Sequence, residues 1–282
     1  MVSLIILSYN TEKLLKDCLL SLQKNLSSEY EIIVVDNASS DGSVKMIQAS
    51  FPKVKLIENN ENAGFAKGCN LGAKEARGEY LFFLNSDITL TTDPIPFFIE
   101  TIIKDKENGV VGGLLQNTDG TLQRSYGKFY TLKNLFLMLF LGEKHEVRRF
   151  NSQVTVKVDW VSGGCLFTRR SLFEKLLGFD EQFFMYIEDM EYCYRVHHAG
   201  FSVLVNPEVR VTHLGQGSSS KTFAIVNIFK GLLYFYKKHK SRVEYNVVSL
   251  MLRLKAYGSI SIGLLKKNAY LVSTYKKALK EL

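Results

Sequence analysis

Residues 1–23 read MVSLIILSYNTEKLLKDCLLSLQ, and their pattern sets the architecture. Residues 2–7 form a nearly continuous apolar run rich in β-branched side chains, the composition of a strand buried on both faces. Ser8, Tyr9 and Asn10 interrupt it, and Leu14, Leu15, Cys18, Leu19 and Leu22 then recur at helical spacing. This strand, turn and helix unit repeats. Residues 32–35 stop at Asp36, Asn37 and Ala38, where Ser39 or Ser40 is placed to cap a helix through Val44, Ile47 and Gln48. Residues 54–57 lead past Asn59, Asn60 and Asn62 to a helix over 66–76, ended by Gly78, and residues 80–84 make a fourth strand. Pro94 suits the first turn of another helix, and Val110 and Val111 open a fifth strand. The alternation predicts an α/β fold with a mainly parallel, Rossmann-like sheet flanked by helices.

Beyond residue 115 the alternation fails. Short strands are expected at 154–161, 165–168, 203–205 and 209–212, a helix at 188–198, and only helices over the last 62 residues. The expected organisation is one domain over residues 1–220 and a basic amphipathic helical tail over 221–282. The charge divides at the same place. The 282-residue chain carries 36 Lys and Arg against 28 Asp and Glu, a net +8. Residues 221–282 hold 13 basic groups against Glu244 and Glu281, leaving 23 basic and 26 acidic groups in the first 220. A slightly acidic body gives no footprint for nucleic acid. Apolar positions edged by Lys and Arg in the tail suit an anionic membrane surface, the alternative being a helical cap packed on the body or on a second subunit in a homo-oligomer.

Cys18, Cys69, Cys165 and Cys193 are widely spaced with no C-x-x-C pair, which favours reduced thiols over a disulfide frame or zinc knuckle. Met1 runs straight into a strand without a basic leader, and the apolar run at 135–141 is far shorter than the ~18 residues of a spanning helix. The expected location is cytoplasmic, peripheral on the inner face of the cell membrane.

In open α/β sheets ligands bind beyond the carboxyl ends of the strands. Ser8, Tyr9, Asn10, Asp36, Asn85, Ser86 and Asp87 all fall at such ends. A hard cation is often held by one or two carboxylates plus substrate phosphates, so Asp87 would suffice for Mg2+ or Mn2+, with Asp93 nearby in sequence; an Asp capping the next turn reads the same way. Asp36 with Asn37, Asp41 and Gly42 suits a base or ribose edge, or simply a turn. Asn62, Gly64, Phe65, Lys67 and Asn70 belong to a glycine-containing turn that opens a helix and suits close approach to a ligand. No G-x-G-x-x-G or Walker A string is present. Glu188 and Asp189, with Glu191 after them and an aromatic run at 183–186 before them, stand at a helix start, where the dipole favours acids and where one could act as a general base. Gly163 and Gly164 after Trp160 fit a ligand contact or a tight turn. Only His213 directly follows a strand; such a histidine is a metal ligand or a structural group.

Taken in order, VSLIILSYN, VVDNASSDGS, NAGFAKGCN, LNSD, WVSGGCLF, GFDEQFFMYIEDMEYCYR and HLGQGSS resemble the inverting nucleotide-sugar glycosyltransferases of family 2, which have the GT-A fold. The similarity covers about residues 1–220 and is greatest to the rhamnosyltransferase and galactofuranosyltransferase branch. It implies that Tyr9, Asn10, Asp36 and the 62–70 loop hold the nucleoside, with Ser8, Asn85, Ser86, Trp160, Gly163 and Gly164 completing the nucleotide-sugar site. Asn85-Ser86-Asp87 stands where the family has its D-x-D-type motif, so Asn85 replaces the first acid and Asp87 is the implied ligand of Mg2+ or Mn2+, with His213. Asp189 matches the catalytic base, and Glu188 is implied to position the acceptor or the base. The implied reaction moves a sugar from dTDP-rhamnose or a UDP-sugar to a hydroxyl of a glycan or lipid-linked acceptor in cell-surface polysaccharide synthesis. A sugar-nucleotide pyrophosphorylase would need a Gly-rich basic loop where Ser8-Tyr9-Asn10 stands. A catalytically silent nucleotide-sugar-binding or membrane scaffold protein is the alternative.

Overall fold

The computed structural model describes residues 1–142, 154–215 and 220–282. They divide into two compact units. One comprises Met1–Gly127, Asn151–Phe184 and Glu188–Ser218; the other comprises Lys128–Phe150, Met185–Ile187 and Ser219–Leu282. The division expected at residue 220 lies next to the start of the terminal helices, but the second unit also takes in chain from the middle of the sequence.

The first unit is built on β1 (Val2–Ser8), which pairs in parallel with β2 (Tyr30–Asp36) on one side and β4 (Tyr80–Asn85) on the other. β3 (Lys55–Glu58) continues the parallel half beside β2. The helices between these strands are α1 (Glu12–Asn25), α2 (Ser43–Ser50) and α3 (Gly64–Lys74). Register places Ser8 opposite Asp36 and Leu7 opposite Asn85, so the carboxyl ends of three strands share one edge. Neither Ser39 nor Ser40 caps α2. Its cap is Gly42, and the Asp41 carboxylate accepts the Ser43 and Glu12 amides at 2.9 Å each, tying two helix starts together.

The other half of the sheet is mixed. After β5 (Ile88–Thr89) and α4 (Ile95–Ile103) come β6 (Asn108–Gln116) and the short β7 (Tyr126–Gly127). β8 (Val156–Val158), β9 (Trp160–Val161), β10 (Cys165–Arg169), α6 (Arg170–Lys175), α7 (Glu188–His198) and β11 (Ser202–His213) complete the unit. β10 runs antiparallel between β4 and β6, and β11 lies parallel to β6 and antiparallel to β5 and β8. β7 and β9 form a separate ribbon. The two strands expected at 203–205 and 209–212 are one strand, whose register with β6 shifts between Val205 and Arg210. Pro207 in that gap has no N–H to give to a ladder, which makes a local irregularity the natural solution.

In the second unit α5 (Leu132–Phe136) runs into a π turn at Leu137–Leu141, and α8 (Lys221–His239), α9 (Arg242–Leu265) and α10 (Ala269–Lys280) pack on one another. Each long helix starts on a side-chain cap: Ser220, the reciprocal Ser241 and Glu244 box, and Asn268. The apolar face of α8, including Phe229, Leu232, Phe235 and Tyr236, is buried. By length and composition α9 is long and apolar enough to cross a membrane, with an 18-residue window of mean hydropathy 1.3. Its outward face differs from that of α8. Every exposed position from Val243 to Leu265 is uncharged, and Leu250, Leu254, Tyr257, Leu264 and Leu265 are among them.

Phe167 on β10 anchors the core under the sheet. It is fully buried and stacks on Tyr80 at 5.3 Å and on Phe98 at 5.0 Å, with Phe82 edge-on at 6.3 Å. Replacing it by alanine leaves three rings without their shared partner. Phe167→Ala should lower unfolding free energy by about 3–5 kcal/mol in a denaturant titration, and a loss below ~1 kcal/mol would show that the stack is not the anchor.

Candidate active site

At the carboxyl ends of β1 and β2 two loops are tied by Asn10, which has a left-handed backbone (φ 53°). Its amide donates to Ser39 Oγ at 2.8 Å, and its side-chain oxygen accepts the Ser40 amide at 2.7 Å. Tyr9 beside it is half-buried. Ser8, Thr11 and Ser86 form a buried hydroxyl chain, 3.1 and 3.2 Å between successive oxygens, that joins the end of β1 to the end of β4. Asp36 is buried; one carboxylate oxygen accepts the Ser39 amide at 2.8 Å, while Oδ1 has no hydrogen-bond partner. Such an acceptor is costly to leave unsatisfied, and a base N–H or ribose hydroxyl would satisfy it.

Asn37, beside Asp36, is a connector. Its amide donates to Asn62 Oδ1 at 3.2 Å and to the Gly64 carbonyl at 3.1 Å, and it accepts from Asn59 at 2.7 Å. Asn62 Oδ1 also receives the Gly64 amide at 3.1 Å. Gly64 is required where it stands: its φ is +82°, and a Cβ there would lie 2.3 Å from the Phe184 carbonyl oxygen. That carbonyl accepts the Phe65 amide at 2.6 Å, which fastens the aromatic run to the start of α3. The Phe65 ring is buried against Phe179. Lys67 is exposed, and the Asn70 side chain makes three bonds to Phe179 and Glu181. Phe65 and Asn70 thus build the wall on which the loop rests. Asp93 belongs elsewhere: it accepts from Ser27, Ser28 and Ile95.

Asp87, buried just past β4, meets His213 at the end of β11, with Asp87 Oδ1 3.2 Å from His213 Nε2. Asn85 Nδ2 is 3.4 Å from the same ring nitrogen. The other nitrogen, Nδ1, is 2.6 Å from Gln123 Oε1. A carboxylate oxygen and an imidazole nitrogen side by side form a donor set that suits a divalent cation, with phosphate oxygens and water filling the remaining positions. Among the described residues no cluster of three or more His, Cys, Asp and Glu forms a self-sufficient metal centre. Residues 216–219 of the last motif lie outside the described residues.

The chain enters α7 through Tyr186 and Ile187, both left-handed (φ 71° and 72°), a strained conformation for a β-branched side chain. Glu188 is buried, and its Oε2 has no hydrogen-bond partner. Burial first, and then the neighbouring Asp189 charge, hold the Glu188 carboxyl well above the ordinary glutamate range. Burial also raises Asp189, but the Gly163 and Met190 amides, 2.9 and 2.7 Å from its two oxygens, favour its charged form. The fold thus supports the charged form of Asp189 with two amides and gives the Glu188 Oε2 no such support. Glu191, the third acid, is fully buried in a bidentate pair with Arg195 at 2.8–3.0 Å, a structural bond. Gly164 completes the link to β4: its carbonyl accepts the Asn85 amide at 3.2 Å, and a Cβ there would lie 2.9 Å from Asn85 Nδ2. Trp160 is buried, with the Arg124 guanidinium 5.5 Å from its ring.

Sequence reading did not single out Gln123 or Thr11, because a lone Gln or Thr in irregular chain carries no spacing signal. Asn37 was visible only as part of a turn.

The N-acetylglucosaminyl-diphospho-decaprenol L-rhamnosyltransferase of Mycobacterium tuberculosis is 24% identical over 225 residues, covering 73% of each chain. Rhamnosyltransferase WbbL of Escherichia coli is 27% identical over 233 residues, covering 79% of this chain and 87% of WbbL. The structure of GalNAc-T7 with UDP, GalNAc and Mn2+ superposes with a TM-score of 0.62 at 19% identity, over 84% of this chain and about half (49%) of that one, a likeness of GT-A fold. The family model described as glycosyl transferase family 2 matches residues 3–177, well over half the chain, and the chain belongs to that family.

Proposed function

We propose that the chain is an inverting, cation-dependent glycosyltransferase that moves a sugar from dTDP-rhamnose or a UDP-sugar to a hydroxyl of a glycan or lipid-linked acceptor. The observation that carries this reading is the Ser162–Cys165 turn, which receives the end of β4 through the Gly164 carbonyl and gives the Gly163 amide to Asp189. One short turn thereby ties the end of β4, two residues before Asp87, to the carboxylate of Asp189. The name of the M. tuberculosis relative, which pairs rhamnosyl transfer with a lipid diphosphate, supports the donor and acceptor classes.

In this reading Asp36 Oδ1 takes a donor from the base or ribose, while Asp87 and His213 would hold Mg2+ or Mn2+. Bound there, the ion supplies positive charge against the charge that develops on the departing diphosphate. Asp189 accepts the proton of the acceptor hydroxyl as it attacks the anomeric carbon from the face opposite the diphosphate, so configuration inverts. Each of its oxygens accepts one amide and keeps a lone pair for this task. Burial lifts its basicity toward the working pH, as a general base requires. Neutral Glu188 beside it adds no second charge to the pair.

The tail reading sharpens in the same way. With the apolar face of α8 buried, the surface assigned to an anionic lipid surface is the uncharged outward strip of α9, flanked by exposed Arg242, Lys266 and Lys267. This would place the enzyme on the cytoplasmic face of the membrane, beside a lipid-linked acceptor.

Three measurements test these assignments. Asp189→Asn should lower turnover with Mn2+ by a factor on the order of 10²–10⁴ while donor affinity is kept; a wild-type rate removes Asp189 from the role of base, and a wild type that binds donor but never transfers supports the silent binder instead. Glu188→Gln removes an acid that stays protonated in the fold. In wild type the unfolded chain ionises above the ordinary glutamate value of 4.5 while the folded chain does not, so stability falls as pH rises. The wild-type melting temperature should accordingly drop relative to the variant as pH rises above the ordinary glutamate value of 4.5, and parallel curves would contradict a raised Glu188. Leu254→Glu with Tyr257→Glu should weaken binding to phosphatidylglycerol vesicles by about tenfold or more. Unchanged binding, or loss of a dimer in its place, would overturn the lipid assignment.

A further inference from the structure

The hydrogen bonds behind His213 run in one direction. Asp119 lies at the exposed tip of a turn and, as a carboxylate, only accepts. The Thr121 hydroxyl donates to it at 2.6 Å, and Thr121 Oγ1 in turn accepts from Asn117 Nδ2 at 2.8 Å. With its amide nitrogen so used, Asn117 presents Oδ1 as an acceptor, which takes a proton from Gln123 Nε2 at 2.7 Å. Gln123 Nε2 gives its second proton to the His213 backbone carbonyl, also at 2.7 Å. Both amide protons are therefore committed, and Oε1 is the atom that faces His213 Nδ1 at 2.6 Å. An acceptor at that distance requires the proton on Nδ1. In the neutral ring, the form that binds a cation, the lone pair is then on Nε2, the nitrogen 3.2 Å from Asp87.

The backbone holds the relay in place. The Asn117 amide donates to the Thr121 carbonyl at 2.8 Å, the Gln123 amide to the Leu115 carbonyl at 2.8 Å, and Gly120 turns the tip with φ +79°. The other tautomer would send an Nε2 proton to Asp87 and leave Gln123 Oε1 facing a bare nitrogen. Among the described residues no other side chain is hydrogen-bonded to Nδ1.

We infer that Gln123 is a positioning residue for the cation pair, fixing His213 in the tautomer whose Nε2 lone pair faces Asp87, with Asn117, Thr121 and Asp119 fixing Gln123. The inference rests on Asp87 and His213 being the cation pair. Removal of a group that orients a ligating histidine typically costs 10–100-fold in metal affinity.

The test compares wild type, Gln123→Leu and Gln123→Glu, each checked for an unchanged melting transition. The ring nitrogen shifts of His213 are read by long-range 1H–15N NMR in metal-free protein, and Mn2+ affinity by EPR titration. Gln123→Leu should lose the Nδ1-protonated signature and bind Mn2+ about 10–100-fold more weakly. Gln123→Glu keeps an acceptor for Nδ1 but loses the two protons that Nε2 gives to Asn117 and the His213 carbonyl, so it should bind Mn2+ more tightly than Gln123→Leu and more weakly than wild type. Wild-type shifts and affinity in Gln123→Leu would overturn the inference. A wild type that itself binds no Mn2+ would instead overturn the cation-pair reading, with the tautomer measurement still deciding what Gln123 does. If Gln123→Leu does not fold, Asp119→Ala at the exposed tip decides: a smaller change in the same direction supports the relay, and no change in shifts or affinity rejects it.

Discussion

One turn of four residues ties the end of β4 to the start of α7. Ser162 donates its amide to the Ser125 carbonyl at 2.7 Å, Gly163 donates to Asp189, Gly164 accepts from Asn85, and Cys165 closes the turn on Ser162 at 3.1 Å before entering β10. Two side-chain-free residues in succession let backbone groups approach β4 and α7 together. A Cβ at position 164 would press on Asn85, and one at position 163 would meet the Phe65 ring at 3.1 Å. Because β10 is wedged antiparallel between β4 and β6, the turn cannot drift without disturbing the middle of the sheet. The rigidity of the core is passed to the site through backbone, and side chains are spared for chemistry.

Three strands of the parallel half, β1, β2 and β4, were legible because each is largely a buried apolar run followed by a polar break. Residues 2–8, 30–36 and 80–85 announce both the strand and the edge where it ends. The mixed half was less legible. β10 reads as an ordinary short strand, and nothing local in Cys165–Arg169 says that it runs against its neighbours; that follows from long-range pairing. β11 was divided in two because Asn206 and Pro207 look like a break, whereas an irregular edge absorbs them within one strand. The start of α2 was misjudged for a related reason: several short polar residues in a row each fit a cap, and only the fold decides that Asp41 serves two helices.

The site shows the same division. Asp36, Asp87, Asp189 and His213 stood out because each falls at a strand end or helix start inside an ordered series of motifs, although each alone reads equally as a turn, cap or structural residue. The groups that hold them were hidden. Asn37, Thr11 and Gln123 act through amides and hydroxyls, and each has a partner 22 or more residues away in sequence. Asn62, Phe65 and Asn70 come from a stretch that was visible, and in the fold they shape the loop from inside.

The four cysteines have a practical consequence. All are free and buried, and burial pushes the Cys165 thiol up to about 12 and the other three in the same direction. Since the thiolate is the reactive form, the native protein is shielded twice, by access and by ionisation. Alkylation by a thiol reagent therefore becomes a clock for opening of the first unit, whose sheet and flanking helices carry Cys18, Cys69, Cys165 and Cys193. A single cysteine introduced on the surface would take a fluorophore or spin label without competition from the natural four.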